Sequence, residues 1–203
     1  HYNLPSFPNG IVFIPDMLLT PVALNLHDKL CGSDYSKTIA LWKECLIDNY
    51  IDSYNGLLYS RYYRNGVKKP ARGSYAALTC SYLSMFDPEL ALQQYMLVKL
   101  RLTRQTKDGK FAGVREYLRK APDFTFDVDA GIIVNGISPT GISFLLGAAT
   151  ALGDWKLRAQ LLNTADLAGG TVRTAGSRHY KLAEIMLTGE AITLAMRTNV
   201  VRS

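Results

Sequence analysis

The stretch Phe124–Asp154, FTFDVDAGIIVNGISPTGISFLLGAATALGD, decides the fold. Asp127 and Asp129 flank one valine, and apolar residues and turn formers then lead to Ser138-Pro139. Serine accepts from the free N–H groups of a helix start, and proline at the first helical position forfeits no hydrogen bond. The pair therefore predicts a helix over 139–152. That helix is apolar or small on every side and should be buried. Gly141, Gly147, Ala148 and Ala149 would let its neighbours approach closely. After Gly153, Asp154 caps a second, amphipathic helix over 154–168. A loop carrying two carboxylates thus feeds a buried helix that turns straight into an amphipathic one.

The same alternation extends outward in both directions. Residues 1–15, with Pro5, Pro8, Asn9-Gly10 and Pro15, read as an extended arm, and 16–203 as one helical-hairpin domain. Helices are predicted over 16–30 (apolar, with Pro21 in its early turns) and from Asp34 to Tyr50. The second has Tyr35, Ile39, Trp42, Leu46 and Tyr50 at steps of three and four. A buried segment follows at 75–86. Asp87-Pro88-Glu89 then starts an amphipathic helix running to about 103. Gly169-Gly170 ends the helix over 154–168, and a last, largely apolar helix is predicted over 180–197. Buried-to-amphipathic turns are short, at 31–33, 86–87 and 153. Amphipathic-to-buried connections are long, at 51–74, 104–138 and 169–179, the first with a hairpin around Asn65-Gly66. An inner row of apolar helices wrapped by an outer amphipathic row accounts for both patterns. All long connections then gather at the inner helices' N-termini, the face where sites usually lie.

Several short motifs carry a resemblance. Pro70-Ala71-Arg72-Gly73, Met85-Phe86-Asp87-Pro88-Glu89 with Gln94-Tyr95, Asp127-Val128-Asp129-Ala130-Gly131 and Gly189-Glu190-Ala191 are similar to stretches of (α/α)-toroid proteins. These are the six-hairpin glycosidase-like proteins and, as the nearest branch, linalool dehydratase/isomerase-like proteins. The resemblance implies an all-α fold, a partial (α/α) toroid of helical hairpins. It also implies acid–base chemistry on a carbohydrate or another small hydroxylated or isoprenoid substrate, as a glycoside hydrolase, lyase or isomerase would perform. About seven helices make three and a half hairpins, fewer than close a ring, so a second copy or a missing half-toroid partner should complete it.

Bulk properties narrow the classes further. An apolar fraction of 48% and a charged fraction of 20% over 203 residues are those of a globular domain with a real core. No apolar run is long enough for a transmembrane segment. The start at His1 reads as a processed or trimmed product, and a periplasmic or extracellular setting is favoured over a cytoplasmic one. Cys31, Cys45 and Cys80 lack CxxC spacing and read as buried free thiols, with a Cys31–Cys45 bridge as the alternative. The window 99–120 holds Lys99, Arg101, Arg104, Lys107, Lys110, Arg115, Arg119 and Lys120 against Asp108 and Glu116. Its excess equals the whole chain's +6. With little aromatic interleaving it reads as a solvated helix end and loop, so no nucleic-acid partner is expected.

Candidate chemistry follows from the long connections. Asp127 and Asp129 on extended chain point the same way and would divide into general acid and base, with Glu116 as a third carboxylate. The alternative makes them caps of backbone N–H groups or ion-pair partners of Arg72 and Arg115. Substrate binding is expected from Arg72, Arg115, Tyr117, Tyr59, Tyr63 and His179. The histidines His1, His27 and His179 are scattered, so no metal is expected. No P-loop or dinucleotide fingerprint occurs, and no cofactor is expected. The competing function is a non-catalytic ligand-binding or protein-interaction half-toroid that docks onto a partner.

Overall fold

The computed structural model describes residues 10–120, 122–184 and 187–198. Strand β1 (Ile11–Phe13) runs directly into helix α1 (Ile14–Cys31), followed by α2 (Ser36–Tyr50), β2 (Arg61–Tyr63) and β3 (Lys68–Lys69). Next come α3 (Gly73–Leu83), α4 (Pro88–Arg101), β4 (Thr103–Gln105), β5 (Ala112–Val114), β6 (Phe124–Asp127) and β7 (Gly131–Val134). The chain continues with α5 (Pro139–Ala151), α6 (Trp155–Gly169), β8 (Thr171–Arg173), β9 (Arg178–Tyr180), a 3-10 turn at Lys181–Glu184, and α7 (Leu187–Arg197).

Local chemistry starts the helices where the side chains prescribe. Ser138 Oγ accepts from Gly141 N, Asp87 Oδ1 from Leu90 N, and Asp154 Oδ1 from Leu157 N, each one turn into α5, α4 and α6. Pro139 and Pro88 occupy the first turns, where a missing N–H costs nothing. The α2 start departs from this scheme: Tyr35 is the N-cap and makes no side-chain cap bond, while Asp34 accepts from Ser36 N just outside the helix.

Packing follows the alternation. Helix α1 packs on α3, α3 on α5 and α5 on α7, while α2, α4 and α6 each pack on the helix before them. Leu145, Leu146, Ala148 and Ala149 of α5 are fully buried with Ala77 and Cys80 of α3 and Val98 of α4. A second apolar cluster joins Ile14 and Leu18 of α1, Leu46 and Tyr50 of α2, and Leu83 and Leu90 of the α3–α4 hairpin. Close approach depends on small residues at the centre. A Cβ at Gly147 would meet Met196 of α7 and Ser81 of α3.

Helix makes up 54% of the chain and strand 18%, so the fold is mostly helical rather than purely so. The strands lie in the connections read as irregular. The long connections fold into antiparallel pairs, β2–β3, β4–β5, β6–β7 and β8–β9, and β1 of the N-terminal arm joins the first. The backbone polar groups of a long connection need partners, and pairing a connection with itself supplies them. The hairpin at Asn65-Gly66 was legible, and Tyr63 N bonds Val67 O across it.

Three further expectations are corrected. The extended arm was to reach residue 15, but α1 begins at Ile14, with Pro15 in its first turn; residues 1–9 of that arm lie outside the described residues. The last helix begins at Leu187 rather than 180, because Arg178–Tyr180 is taken into a strand. Nor is that helix buried: Thr193 is its one buried residue among those described, and Leu187 and Leu194 are exposed. Apolar composition identified an inner-row helix here, but nothing packs beyond α7 among the described residues. All three cysteines are free, with Cys31 exposed, Cys45 half-buried and Cys80 buried. No described helix is long and apolar enough to cross a membrane.

Gly147→Leu should force α5, α3 and α7 apart and lower the unfolding free energy by about 1–3 kcal/mol. Urea unfolding followed by circular dichroism measures this; an unchanged midpoint would contradict the close three-helix packing.

Candidate functional site

Residues 114–117 run between the starts of α3 and α5 and hydrogen-bond to both. On one side Gly73 N donates to Glu116 O, and Arg72 and Tyr117 form an isolated bridge. On the other, Glu116 N donates to Gly136 O, Ser138 N to Val114 O, and Arg115 bridges Ile137. A Cβ at Gly73 would collide with the carbonyl of Arg115, so only glycine lets the two segments approach this closely. Asn135 and Gly136 both have positive φ and make a two-residue turn between the reciprocal bonds of Val134 and Ile137.

This strip fixes Glu116 under the N-terminus of α3. Its carboxylate is fully buried; Oε2 accepts from Ser74 N, and Oε1 from Ser74 Oγ at 2.8 Å and Arg72 Nε at 2.7 Å. The α3 N-cap residue, Arg72, makes no side-chain cap bond, so Glu116 supplies the anion that the helix end favours.

Arg72 joins the other carboxylates to this anchor. Its Nη2 lies 2.8 Å from Asp127 Oδ1, an ion pair set off the hydrogen-bonding direction. Its guanidinium lies 5.1 Å from the ring centroid of Tyr75 and 5.6 Å from that of Tyr117. Burial works against the charge of Arg72, but Asp127 and Glu116 outweigh it and the pKa moves up. Burial likewise opposes ionisation of Asp127. The Arg72 side chain and the backbone N–H groups of Ala130 and Asp129 overcome it, so the Asp127 pKa is lowered. Asp129, two residues on, is exposed and accepts from Tyr75 Oη at 2.6 Å. Burial, with Asp129 adding to it, raises the Tyr75 pKa, which keeps that hydroxyl a donor.

The structure therefore brings Arg72, Glu116, Tyr117, Asp127 and Asp129 into one cluster. Arg115 borders it: its Nη2 donates to Leu118 O and Arg119 O, and it shares with Tyr117 a cleft of about 290 Å³. Arg104, Arg119, Lys120, Asp123, Asn135 and Gly136 complete that cleft. Tyr63 is joined only through Arg61, whose guanidinium lies 5.8 Å from its ring centroid. Tyr59 and His179 are placed apart from the cluster. Lys68 Nζ lies over the Tyr59 ring, and His179 Nε2 is 3.5 Å from Glu184 in a smaller cleft between β9 and α7. Sequence order puts every long connection at one end of the helices but does not say which side chains face one another across it.

Arg61 and Tyr75 were not singled out as a pair. Arg61 Nε is buried without a hydrogen-bond partner, and its charge acts on the hydroxyls of Tyr75 and Tyr117. Its position beside Tyr62-Tyr63 in a predicted hairpin was the available signal. No known family model matches the chain.

Asp127→Asn should lower stability by about 1–2 kcal/mol near neutral pH, between the loss of an exposed ion pair and that of a fully buried one, because it removes the charge facing Arg72. A depressed folded-state pKa contributes stability that is fully present above the ordinary value of 3.8 and is lost as pH falls through the folded value. The gap between parent and variant should therefore hold from pH 7 to about 5 and close in acid below 3.8. Chemical denaturation across this range measures it; a gap that widens in acid would contradict the ion pair.

Proposed function

We propose that the chain is a partial ring of helical hairpins whose loop face binds a small hydroxylated molecule and moves a proton on it, with Asp129 as the general base. Asp129 carries this reading, because it is the cluster carboxylate left open to solvent. Its Oδ2 is oriented by Tyr75, and its Oδ1 makes no hydrogen bond or ion pair among the described residues. Glu116 and Asp127 serve a different purpose in this proposal. They hold Arg72 in place, and Arg72 with Tyr117 provides a cationic and aromatic surface for the substrate.

The exposed face of the β6–β7 hairpin bears on the substrate class. Phe124 pairs across the strands with Val134, and Phe126 with Ile132, and all four side chains face solvent. Apolar surface beside Asp129 favours a substrate with a hydrocarbon part, in keeping with the isoprenoid side of the resemblance to linalool dehydratase/isomerase-like toroids. The same face also supports the second reading, an interaction half-ring. At the row ends, Leu26 and Leu30 of α1 and Leu187 and Leu194 of α7 are exposed, and a second helical-hairpin unit would cover them.

Asp129→Asn and Tyr75→Phe are the direct test, assayed on a panel of terpenoid alcohols and methyl glycosides. Turnover should fall by about 10²–10⁴-fold in Asp129→Asn, as loss of a general base requires. Its unfolding free energy should change by less than about 0.5 kcal/mol, as expected of an exposed position. Turnover that survives Asp129→Asn, or no turnover of any panel member by the parent protein, would exclude the proton-transfer reading in favour of the interaction half-ring.

A further inference from the structure

Four cations border the cleft beside Tyr117: Arg104, Arg115, Arg119 and Lys120. Five cations outside the cleft meet carboxylates. Lys43 meets Asp87, Arg72 meets Glu116 and Asp127, Lys99 meets Asp154, Lys110 meets Asp108, and Arg178 meets Asp166. No carboxylate of the described residues lies within 4.0 Å of any of the four, although Asp123 lines the same cleft. Like charges gathered around one concave space repel one another, and a bound anion relieves that repulsion.

We propose that this cleft is a subsite for a phosphate group of the ligand. The reading rests on the loop face being a ligand site but does not require Asp129 to be a base. Charge selects the group. A carboxylate would leave most of the cationic excess standing, whereas a phosphate monoester carries nearly two negative charges and three strong acceptor oxygens. Geometry agrees, since Arg104 and Arg119 carry planar forks that match tetrahedral oxyanions two bonds at a time, and Arg115 keeps Nε and Nη1 for single bonds. Arg115 is already tied down by Leu118 O and Arg119 O, so it loses little freedom on binding. A volume of about 290 Å³ leaves room for more than the phosphate itself. Tyr117 lines the cleft and also meets Arg72, so the cleft adjoins the cluster that holds Asp127.

Calorimetric titration of inorganic pyrophosphate into the whole chain at low ionic strength tests this, with vesicles of anionic phospholipid as a second arm. Saturable pyrophosphate binding is expected, weakened at least about tenfold in Arg119→Ala/Lys120→Ala, which removes two of the four cations. Lys29→Ala/Lys156→Ala, exposed cations outside the cleft, should bind as the parent does. Asp129→Asn should also retain binding, which separates failure of this subsite from failure of the proton-transfer reading. No saturable binding, equal weakening in both double variants, or binding to vesicles without binding to pyrophosphate would overturn the subsite.

Discussion

The buried Arg72–Glu116 pair is the joint on which the loop face depends. Glu116 is reached only because residues 114–117 are clamped between the starts of α3 and α5, and it meets Arg72, which lies 44 residues away in sequence. Removing both charges from water is costly, and their attraction offsets that cost only when the remaining lone pairs are also satisfied. Ser74 N and Oγ satisfy them here. One carboxylate thus neutralises a guanidinium and caps a helix, and the guanidinium in turn holds Asp127 and the turn that presents Asp129.

The structure separates carboxylates that hold from a carboxylate that is free. Asp127 and Asp129 are two residues apart, yet one is drawn into an ion pair and two backbone bonds, while the other is exposed with a tyrosine hydroxyl. An acid–base pair made of both aspartates would need one of them easily protonated, and the lowered pKa of Asp127 opposes that. The division of labour proposed above follows from these environments rather than from the spacing of the two residues.

Much of the helical scaffold was legible because its signals are local. Ser138-Pro139, Asp87-Pro88 and Asp154 cap within one turn of their own position, so the sequence around each contains the whole interaction. The small hairpins β4–β5 and β8–β9 were not legible, since strands of three residues carry no alternation long enough to read. The site was half legible. Carboxylates in a connection ahead of a buried helix fall at the correct end, as Asp127 and Asp129 do. Facing partners depend on how the helices rotate about one another, which is why the Tyr75–Asp129 contact and the place of Arg61 were not legible, nor the separation of Tyr59 and His179 from the cluster. Glu116, expected as a third carboxylate beside the two aspartates, lies wholly buried against Arg72 and Ser74, because the segment 114–117 turns it toward α3.

A double-mutant cycle on Arg72→Met and Glu116→Gln, read by equilibrium urea unfolding, tests the joint most directly. Each single change should cost about 3–5 kcal/mol, because it leaves one buried group without its partner. The double variant should lose well under the sum, with a coupling of more than about 1 kcal/mol. Additive losses, or single changes that leave the midpoint unmoved, would contradict the claim that this pair holds the loop face together.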